Sequence, residues 1–357
     1  MAREEGSTKY ERVRTEIERR IRSGQYTQRV PPIRELAAEF GVNTRTVMKA
    51  MEGLIEQGLL VSEVGRGTFV NAVPRNVMVF ANFYFGREYH PFYSEFFDAM
   101  TRHFAAIGYR SSYQIIDDTE LETDPGCIAR SLDEKRCQGA VLVHATPREL
   151  AALMDRRIPT GVFRYEPVDG PAFERGPTVG VTLDHEKGCR DAVEYLIKLG
   201  HRRIAVMDYP ESRVTPVAME VMRRYGIEPV EDFMVNLGVL QMHFHEAYHM
   251  MKALWQMDPR PTAVYINDDF ICQTALLYVA ESEIRVPDEL SIVSHRNRLF
   301  EFRFPVPITH MELDGRLTGQ VMAQSVADLI EGREVQKRIS LKPHLVIRQS
   351  TRELPAR

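Results

Sequence analysis

One pentapeptide has residue types at a spacing that could hold a catalytic metal. Residues 245–249 read HEAYH, and on a helix two histidines four positions apart can bind zinc while the glutamate between them acts as general base. A catalytic zinc also needs a third protein ligand. Lys252 and Trp255 stand where the extended motif has its glycine and its third histidine. A zinc-dependent hydrolase built on His245 and His249 therefore remains only as an alternative.

The helix expected over residues 243–257 also turns these histidines away from the protein interior. Its apolar residues recur at i, i+3, i+4 and i+7, the pattern of a buried helix face. They are Phe244, Ala247, Tyr248, Met251, Leu254 and Trp255. At about 100° per residue, His245 and His249 fall on the opposite side and should face water. The sequence therefore predicts no catalytic residue, no metal and no cofactor.

A second group of polar and aromatic residues follows segments that read as buried strands. In parallel α/β sheets, ligands bind outside the carboxyl ends of the strands, so this group is a candidate binding site for a small polar molecule. Its members are Phe83, Tyr89, Arg164, Arg213, Asp268, His295 and Arg296. Each of them could instead form a helix cap or a salt bridge, and Asp268 in particular could begin a helix.

The elements that position these residues alternate regularly between strand and helix. The strand segments are VMVFANF, SSYQII, GAVLVH, TGVF, TVGVTLD, RIAVMD, FMVNL, TAVYIN and LSIVSH. Helical segments lie between them at about 92–106, 126–135, 148–155, 185–199, 215–225, 243–257 and 270–283. This alternation predicts an α/β fold with parallel sheets flanked by helices. The strands are too many for one compact sheet, so we expect two lobes with a cleft between them.

The first seventy residues have a different pattern. A helix is expected from about residue 10 to Gly24, and two more surround Gly41 at a tight turn. Ala37, Gly41 and Val47 fit the spacing of a helix-turn-helix: a small residue at the helix contact, a glycine at the turn and a β-branched residue beneath. Asn43 or Thr44 can cap the second helix.

The exposed side of that second helix carries groups suited to the DNA major groove. Thr44, Arg45, Thr46 and Lys49 lie near its N-terminus, the end that enters the groove. Next, LLVSEVGRGTFV reads as strand, turn and strand, a wing with Arg66 at its tip. The alternative is a three-helix packing module with a solvated charged face. Because the helix-turn-helix and the wing occur together and in order, we favour binding to double-stranded DNA.

Composition excludes several classes of protein. Of 357 residues, 44% are hydrophobic and 27% charged, with a net charge of −4. No apolar run approaches the ~18 residues that span a bilayer, and the first residues are charged, so we expect a cytoplasmic protein with no membrane partner. The four cysteines form no C-x-x-C pair, which argues against a disulfide framework or a thiolate zinc site.

Residues 9–70 resemble the winged helix-turn-helix of the GntR family of bacterial transcriptional regulators. The resemblance rests on PPIRELAAEFGVNTRTVMKAMEGLIEQGLL and GRGTFV. It implies a set of DNA contacts, which are Arg34, Thr44, Arg45, Thr46, Lys49 and Arg66. The family often has arginine at the position of Thr44, so the operator bases do not carry over.

Residues 77–351 resemble the effector domain of the LacI/GalR repressors, which has the periplasmic-binding-protein fold. The resemblance rests on VGVTLDHEKGCRDAVEYLIKLGHRRIAVM, PTAVYINDD, VPDELSIVSH and LKPHLVIRQST, and it implies that Asp268 bonds a sugar hydroxyl. The chain departs from the family where a ligand-binding arginine is usual, near residues 214–216. It departs again at residues 294–297, which read SHRN in place of G-[FY]-D-[DN]. These departures make an anionic or substituted ligand an alternative to a common sugar.

Together these features predict a ligand-responsive transcriptional regulator, a repressor that binds operator DNA as a homodimer. We expect a DNA-binding domain over 1–71, a linker over 72–76 and a two-lobed domain over 77–357 that binds a small-molecule effector, a sugar or related polar metabolite. Two further alternatives are a solute-binding protein and a regulator whose second domain only dimerises.

Overall fold

The structure, a computed structural model, describes most of the chain. The described residues are 9–22, 25–56, 59–63, 65–70, 75–82, 91–116, 126–144, 147–154, 156–164, 170–209, 212–236 and 243–355. Phe83 and Tyr89 lie outside these ranges, as does the segment 71–74 at the expected end of the first domain. Across the described ranges, no helix is both long enough and apolar enough to cross a membrane.

The N-terminal region folds as three helices and a two-stranded antiparallel wing, as the sequence predicts. The elements are α1 (Lys9–Arg22), α2 (Ile33–Phe40), α3 (Thr44–Glu56), β1 (Leu60–Glu63) and β2 (Gly67–Val70). Their apolar faces meet in one cluster that includes Ile17, Leu36, Val47 and Leu54, each fully buried. This cluster gives the three short helices the tertiary packing that helices of this length need.

The remaining chain builds two six-stranded sheets from the described residues. The first lobe has the strand order β13-β7-β6-β5-β3-β4, all parallel. Its strands are β3 (Asn76–Asn82), β4 (Arg110–Ile116), β5 (Cys137–Val143), β6 (Thr160–Phe163), β7 (Thr178–Leu183) and β13 (Arg338–Leu341). Its helices are α4 (Pro91–Ala106), α5 (Cys127–Glu134), α6 (Pro147–Met154), α7 (Pro171–Arg175) and α12 (Gly315–Ile330). Apolar clusters around Phe96 and Leu142 fill the space between the sheet and its helices.

The second lobe has the strand order β14-β12-β11-β10-β8-β9. Its strands are β8 (Ile204–Asp208), β9 (Met234–Asn236), β10 (Ala263–Ile266), β11 (Ser291–Asn297), β12 (Thr309–Leu313) and β14 (His344–Val346). Its helices are α8 (His185–Lys198), α9 (Val214–Arg224), α10 (His243–Gln256) and α11 (Asp269–Glu281), with a short 3-10 helix at Glu231–Phe233. Apolar clusters around Ile266 and Val206 pack between the sheet and these helices.

The last sixty residues depart from the sequence prediction. β12, α12, β13 and β14 were not predicted, and β14 runs antiparallel to β12 in an otherwise parallel sheet. After β12 in the second lobe, the chain crosses to the first lobe, where α12 packs against α4. Gly315 and Gly319 permit this contact, because a side chain at either position would meet the backbone oxygen of Phe92 or Phe96. The chain then pairs β13 with β7 in the first lobe and returns as β14 to the second.

Candidate functional site

The turn between α2 and α3 has the geometry that its residues predict. Gly41 ends α2 in the left-handed region, with φ +63°, which glycine adopts without strain. Asn43 caps α3: its Oδ1 accepts hydrogen bonds of 2.8 Å from both the backbone N and the hydroxyl of Thr46. Of the two predicted caps, Asn43 therefore performs the role. Thr46 is half-buried and its hydroxyl already donates to Asn43.

The other predicted contacts form an exposed surface, here called the α3 surface, consisting of Arg34, Thr44, Arg45, Lys49 and Arg66. The Lys49 ammonium lies 5.3 Å from the centre of the Tyr10 ring of α1, which orients it. Arg66, at the wing tip, pairs with Glu63 yet keeps 74% of its side chain exposed. Arginine and lysine side chains held this way can reach phosphates or base edges. Their contact with DNA stays a prediction.

An ion-pair cluster fastens α1 to the helix-turn-helix. The Arg20 guanidinium donates to Glu16 at 2.8 Å and to the Tyr26 hydroxyl at 2.8 Å, and it pairs with Glu39 of α2 at 2.5 Å. Hydrogen bonds from Arg19 and Arg20 lower the pKa of Glu16 to about 2. Glu16 is thus held ionised, and the cluster links α1 to α2.

In the second lobe, Asp268 lies directly after β10 and caps α11. Its Oδ1 accepts a hydrogen bond of 3.0 Å from the backbone N of Ile271, and its Oδ2 accepts one of 2.6 Å from the Tyr209 hydroxyl. The helix-cap role left open by the sequence is therefore real. A carboxylate oxygen can accept more than one hydrogen bond, so the cap role does not exclude a ligand contact, and the ligand role of Asp268 stays a prediction.

Next to Asp268, four buried polar side chains are joined by hydrogen bonds. They are here called the lobe-2 polar network and consist of Asp208, Asn267, His295 and Tyr265. Asn267 donates from Nδ2 to Asp208 at 2.7 Å, and its Oδ1 lies 2.6 Å from His295 Nδ1. An amide oxygen only accepts, so the proton of His295 sits on Nδ1, and Nε2 accepts from the Tyr265 hydroxyl at 3.0 Å. The network is thereby satisfied with a neutral imidazole.

His295 is therefore placed differently from the sequence prediction. β11 continues to Asn297, so the predicted strand end at His295 was wrong, and the ring is 1% exposed. Burial and the neighbouring His185, 3.3 Å away, hold the pKa of His295 well below its usual range. As a ligand contact His295 stays a prediction, one that its burial argues against, since its role here is to orient Asn267.

Two predicted arginines have structural contacts of their own. Arg213 precedes α9, is 76% exposed and forms an ion pair of 3.1 Å with Glu186 at the start of α8. Arg296, inside β11, donates from Nε to the backbone oxygen of Phe300 at 2.5 Å. Both lie at the carboxyl end of the sheet, as expected. Neither is brought against Asp268 by a hydrogen bond or ion pair among the described residues, and their ligand roles stay predictions.

Sequence reasoning missed a buried carboxylate beside Asp268. Asp269 is fully buried, and its Oδ2 accepts hydrogen bonds from the backbone N and the Nδ2 of Asn297, at 2.9 and 2.8 Å. Burial, and secondarily the charge of Asp268, raises the pKa of Asp269 to about 8. Of the two neighbouring aspartates, Asp268 is a half-buried helix cap and Asp269 is a fully buried carboxyl group, a distinction that only the fold makes.

In the first lobe, Arg164 directly follows β6 and is half-buried, at the carboxyl edge as predicted. Beside it lies His144, which sequence reasoning missed because it was counted as the last residue of the strand. β5 ends at Val143 instead, and the His144 ring contacts the Tyr93 hydroxyl through Nε2 at 2.5 Å. The available signal was its place immediately after a buried run, the rule that selected the other candidates.

The HEAYH segment lies on α10, as predicted. Ala247, Met251 and Leu254 are fully buried and His249 is exposed, which confirms the predicted phase of the helix. The His245 side chain lies outside the described residues. Within the described part of the chain, no group of three or more histidine, cysteine, aspartate or glutamate side chains could hold a metal ion.

Comparison with known proteins matches two family models to the chain. Residues 9–70 match the model described as "Bacterial regulatory proteins, gntR family", and residues 193–351 match the "Periplasmic binding protein-like domain". Curated relatives include the HTH-type transcriptional regulator CelR of Thermobifida fusca, 28% identical over 48% of this chain and 51% of that protein. The lactose operon repressor of Escherichia coli is 26% identical over 50% of this chain and 49% of the repressor. The chain thus spans about half the length of these two relatives.

Solved structures show the same fold. A regulatory protein of the LacI family from Chloroflexus aggregans has a TM-score of 0.64 at 24% identity, covering 77% of this chain and 98% of the other. A CelR–cellobiose complex has a TM-score of 0.63 at 21% identity and covers 90% of this chain and 100% of that one. The protein therefore joins a winged helix-turn-helix region that matches the gntR family model to a periplasmic binding protein-like domain, and its two lobes have the fold of solved LacI-family regulators.

Proposed function

We propose that this protein is a ligand-responsive, sequence-specific transcriptional repressor of a catabolic operon. The observation that carries the proposal is the combination of an exposed basic α3 surface on a winged helix-turn-helix with a two-lobed α/β domain. The carboxyl strand edges of that domain carry polar and aromatic side chains. Curated relatives that match 48–63% of this chain are named as transcriptional regulators and repressors, which supports the same conclusion. We further propose domain bounds of 1–71 and 77–357, a linker over 72–76 and a cytoplasmic location.

A homodimer explains how one short helix could select an operator. Two winged domains related by two-fold symmetry would read two half-sites of an approximately palindromic sequence. In each half-site, α3 would lie in the major groove with Arg45 near its N-terminus, and Arg66 of the wing would reach the backbone or the minor groove. A bidentate arginine–guanine pair contributes roughly 1–3 kcal/mol of discrimination.

The effector would act through the relative arrangement of the lobes. A small polar molecule between the carboxyl edges of the two sheets would favour one arrangement, and the chain crosses between the lobes on either side of α12, so a change there reaches both. A coupling of ~1–3 kcal/mol changes operator affinity about 5- to 150-fold, enough for a genetic switch.

The DNA-binding arm is tested by selecting a binding sequence from a random duplex library and then measuring affinity by fluorescence anisotropy at several salt concentrations. Arg45→Ala should weaken binding and relax the preference at one base position in each half-site. Arg223→Ala is the matched control, because it removes an equal charge from an exposed position on α9. Failure to select any sequence, or equal losses for both variants, would remove sequence-specific DNA binding from the proposal.

The effector arm is tested by thermal shift with a panel of sugars and related metabolites. A saturating ligand stabilises the folded state by RT ln(1 + [L]/Kd), about 2.7 kcal/mol at one hundred times Kd. Asp268→Asn should weaken the response, since it replaces one acceptor oxygen near Tyr209. An unchanged response would exclude Asp268 from the ligand site, whereas the absence of any response would favour a domain that only dimerises.

A further inference from the structure

Two basic residues occupy adjacent positions at the carboxyl edge of the first lobe. β5 and β6 are neighbouring parallel strands whose last paired residues are Val143 and Phe163, so His144 and Arg164 follow in adjacent positions. The backbone N of His144 donates to the Phe163 oxygen at 2.9 Å, which continues the pairing by one step. The adjacency is therefore a consequence of strand register and not of loop conformation.

His144 has a backbone conformation that is uncommon for residues other than glycine. Its φ is +58°, in the left-handed region, whereas the strand before it is extended. Such a residue persists where surrounding contacts hold it, and these residues concentrate at functional sites. Here Tyr93 holds the ring at Nε2, and the Phe163 ring lies edge-on with centroids 5.6 Å apart. The imidazole is thus turned towards α4, with one nitrogen used by Tyr93.

Arg164 brings a positive charge to the same edge. It is half-buried, and among the described residues its guanidinium has no hydrogen-bond or ion-pair partner. Partial burial of a cation costs free energy unless an anion compensates it. A planar guanidinium presents two parallel donors that match a carboxylate or phosphate. The adjacent imidazole can supply a further polar contact.

We propose that the effector carries one acidic group, a carboxylate or a phosphate, which Arg164 and His144 bind. This inference rests on the proposed function, because it concerns the same ligand site. The acidic group lies against the first lobe, and the hydroxyl groups of the same molecule lie against Asp268 and Tyr209 of the second lobe. A single molecule with charge at one end and hydroxyls at the other would contact both lobes and so favour one lobe arrangement.

The test compares matched ligands that differ only in charge. The panel consists of glucose, glucuronate and glucose 6-phosphate, the corresponding galactose series, and ribose with ribose 5-phosphate, each at millimolar concentration and constant ionic strength. Stabilisation is measured by thermal shift, and affinity by isothermal titration calorimetry. We expect an acidic member to bind more tightly than its neutral parent, and the uronate and phosphate arms identify which acid is preferred.

Two variants and one control locate the charge contact. Arg164→Gln should weaken the acidic ligand roughly 10- to 100-fold, because it removes a charge-assisted hydrogen bond, while any weak affinity for the neutral parent stays unchanged. His144→Asn, which tolerates the left-handed backbone, should weaken it less. Arg110→Gln is the matched control, since Arg110 is exposed at the amino edge of the same sheet.

Glu166 and Asp169 are acidic residues that follow Arg164 in the chain and lie outside the described residues. The double variant Glu166→Gln/Asp169→Asn is therefore measured as well, to separate their charge from that of the ligand. A preference for the acidic ligand that is retained in this double variant supports the proposal. Three results overturn it: a neutral member binding at least as well as its acids, no acidic member binding, or equal losses in Arg164→Gln and Arg110→Gln. Operator selection with the unaltered protein decides the proposed function separately, because it succeeds or fails whichever ligand class binds.

Discussion

The α3 surface and the lobe-2 polar network hold their polar side chains in opposite ways. On the α3 surface, Arg34 and Arg45 are exposed, and no carboxylate among the described residues pairs with either. In the lobe-2 polar network, Asn267 and His295 are buried and hydrogen-bonded to each other, while Asn267 also bonds Asp208 and His295 also bonds Tyr265. The exposed cations of the α3 surface are suited to the DNA contact proposed for it, because they are already accessible to phosphates. The buried network instead fixes the positions of its side chains, because each of them has a hydrogen-bond partner.

This difference predicts that the same kind of substitution will have different consequences in the two regions. In the network, removing a side chain leaves its partners buried without hydrogen bonds, so stability falls. On the α3 surface, removing an exposed side chain leaves no buried group without a partner. DNA affinity should therefore fall while the free energy of unfolding stays unchanged. The following tests run from the largest expected effect to the smallest.

Asn267→Ala should destabilise the protein by ~2–4 kcal/mol, because Asp208 Oδ1 and His295 Nδ1 both lose their partner in the interior. Chemical denaturation followed by a probe in the second lobe measures the loss. Asn236→Ala, at an exposed asparagine at the end of β9, is the control and should cost far less. Equal costs would show that the network does not stabilise this lobe.

The stability of the second lobe should fall as pH rises from about 4 to about 8. Burial raises the pKa of Asp269 to about 8 in the folded state, against 3.8 as the ordinary value. A raised folded pKa favours the protonated form, so its contribution is complete at low pH and is lost as the group ionises. Asp269→Asn should remove roughly 1 kcal/mol or more of this dependence, and the exposed Asp288→Asn should not. An unaltered pH profile in Asp269→Asn would contradict the assignment.

Lys49→Ala should weaken operator binding by ~1 kcal/mol and reduce the slope of log affinity against log salt by about one, as for the loss of one phosphate contact. Its stability should change by less than ~0.5 kcal/mol. Anisotropy titrations at several salt concentrations measure the operator affinity and its salt dependence, and chemical denaturation measures the stability. Lys252→Ala, exposed on α10, is the control. A Lys49 variant that binds DNA normally would remove this residue from the α3 surface.

Glu16→Gln should loosen the attachment of α1 by ~0.5 kcal/mol, as expected of an exposed ion pair. Because hydrogen bonds from Arg19 and Arg20 lower the pKa of Glu16 to about 2, the contribution is present above pH ~4.5 and is lost as pH falls towards 2. This sign is opposite to that of Asp269. Hydrogen exchange of α1 amides in the full chain, with the exposed Glu52→Gln as control, would detect it. Faster exchange in Glu16→Gln above pH ~4.5, but not near pH 2, would support this role of Glu16, and an equal change at both pH values would contradict it.

His249→Gln should change neither operator affinity nor the response to effector, since His249 is exposed on the outer face of α10. The same preparations should contain no stoichiometric zinc. A large loss of either activity, or one zinc per chain that disappears in the variant, would reopen the hydrolase alternative.

The local sequence pattern was enough to predict the helices, the turn and the wing of the N-terminal domain. The 3.6-residue period, Gly41 at the turn and a cap at Asn43 are set by neighbours within a few positions, so they can be read without the fold. Most strands of the two lobes were also predicted, because a buried parallel strand is a continuous apolar run. The errors occur where that signal is interrupted: His295 and Asn297 are polar yet lie inside β11.

The candidate ligand site was predicted only in part. The rule that ligands lie after parallel strands selected Asp268 and Arg164, and both are at carboxyl edges. The same rule could not separate Asp268 from its neighbour Asp269, nor find the contact of His144 with Tyr93, because those partners are many residues away in the chain.

The sequence by itself determined the order of the elements, the helix-turn-helix with its exposed cations, and the alternation that makes a parallel α/β fold, since each follows from side-chain period and turn chemistry within one segment. Only the tertiary structure decided which polar residues are buried and neutral, which carboxylate caps a helix, and which lobe receives α12 and β13. These outcomes depend on segments that are distant in the sequence. Such segments exclude water from a side chain, and they supply hydrogen-bond partners, as Asp208 does for Asn267.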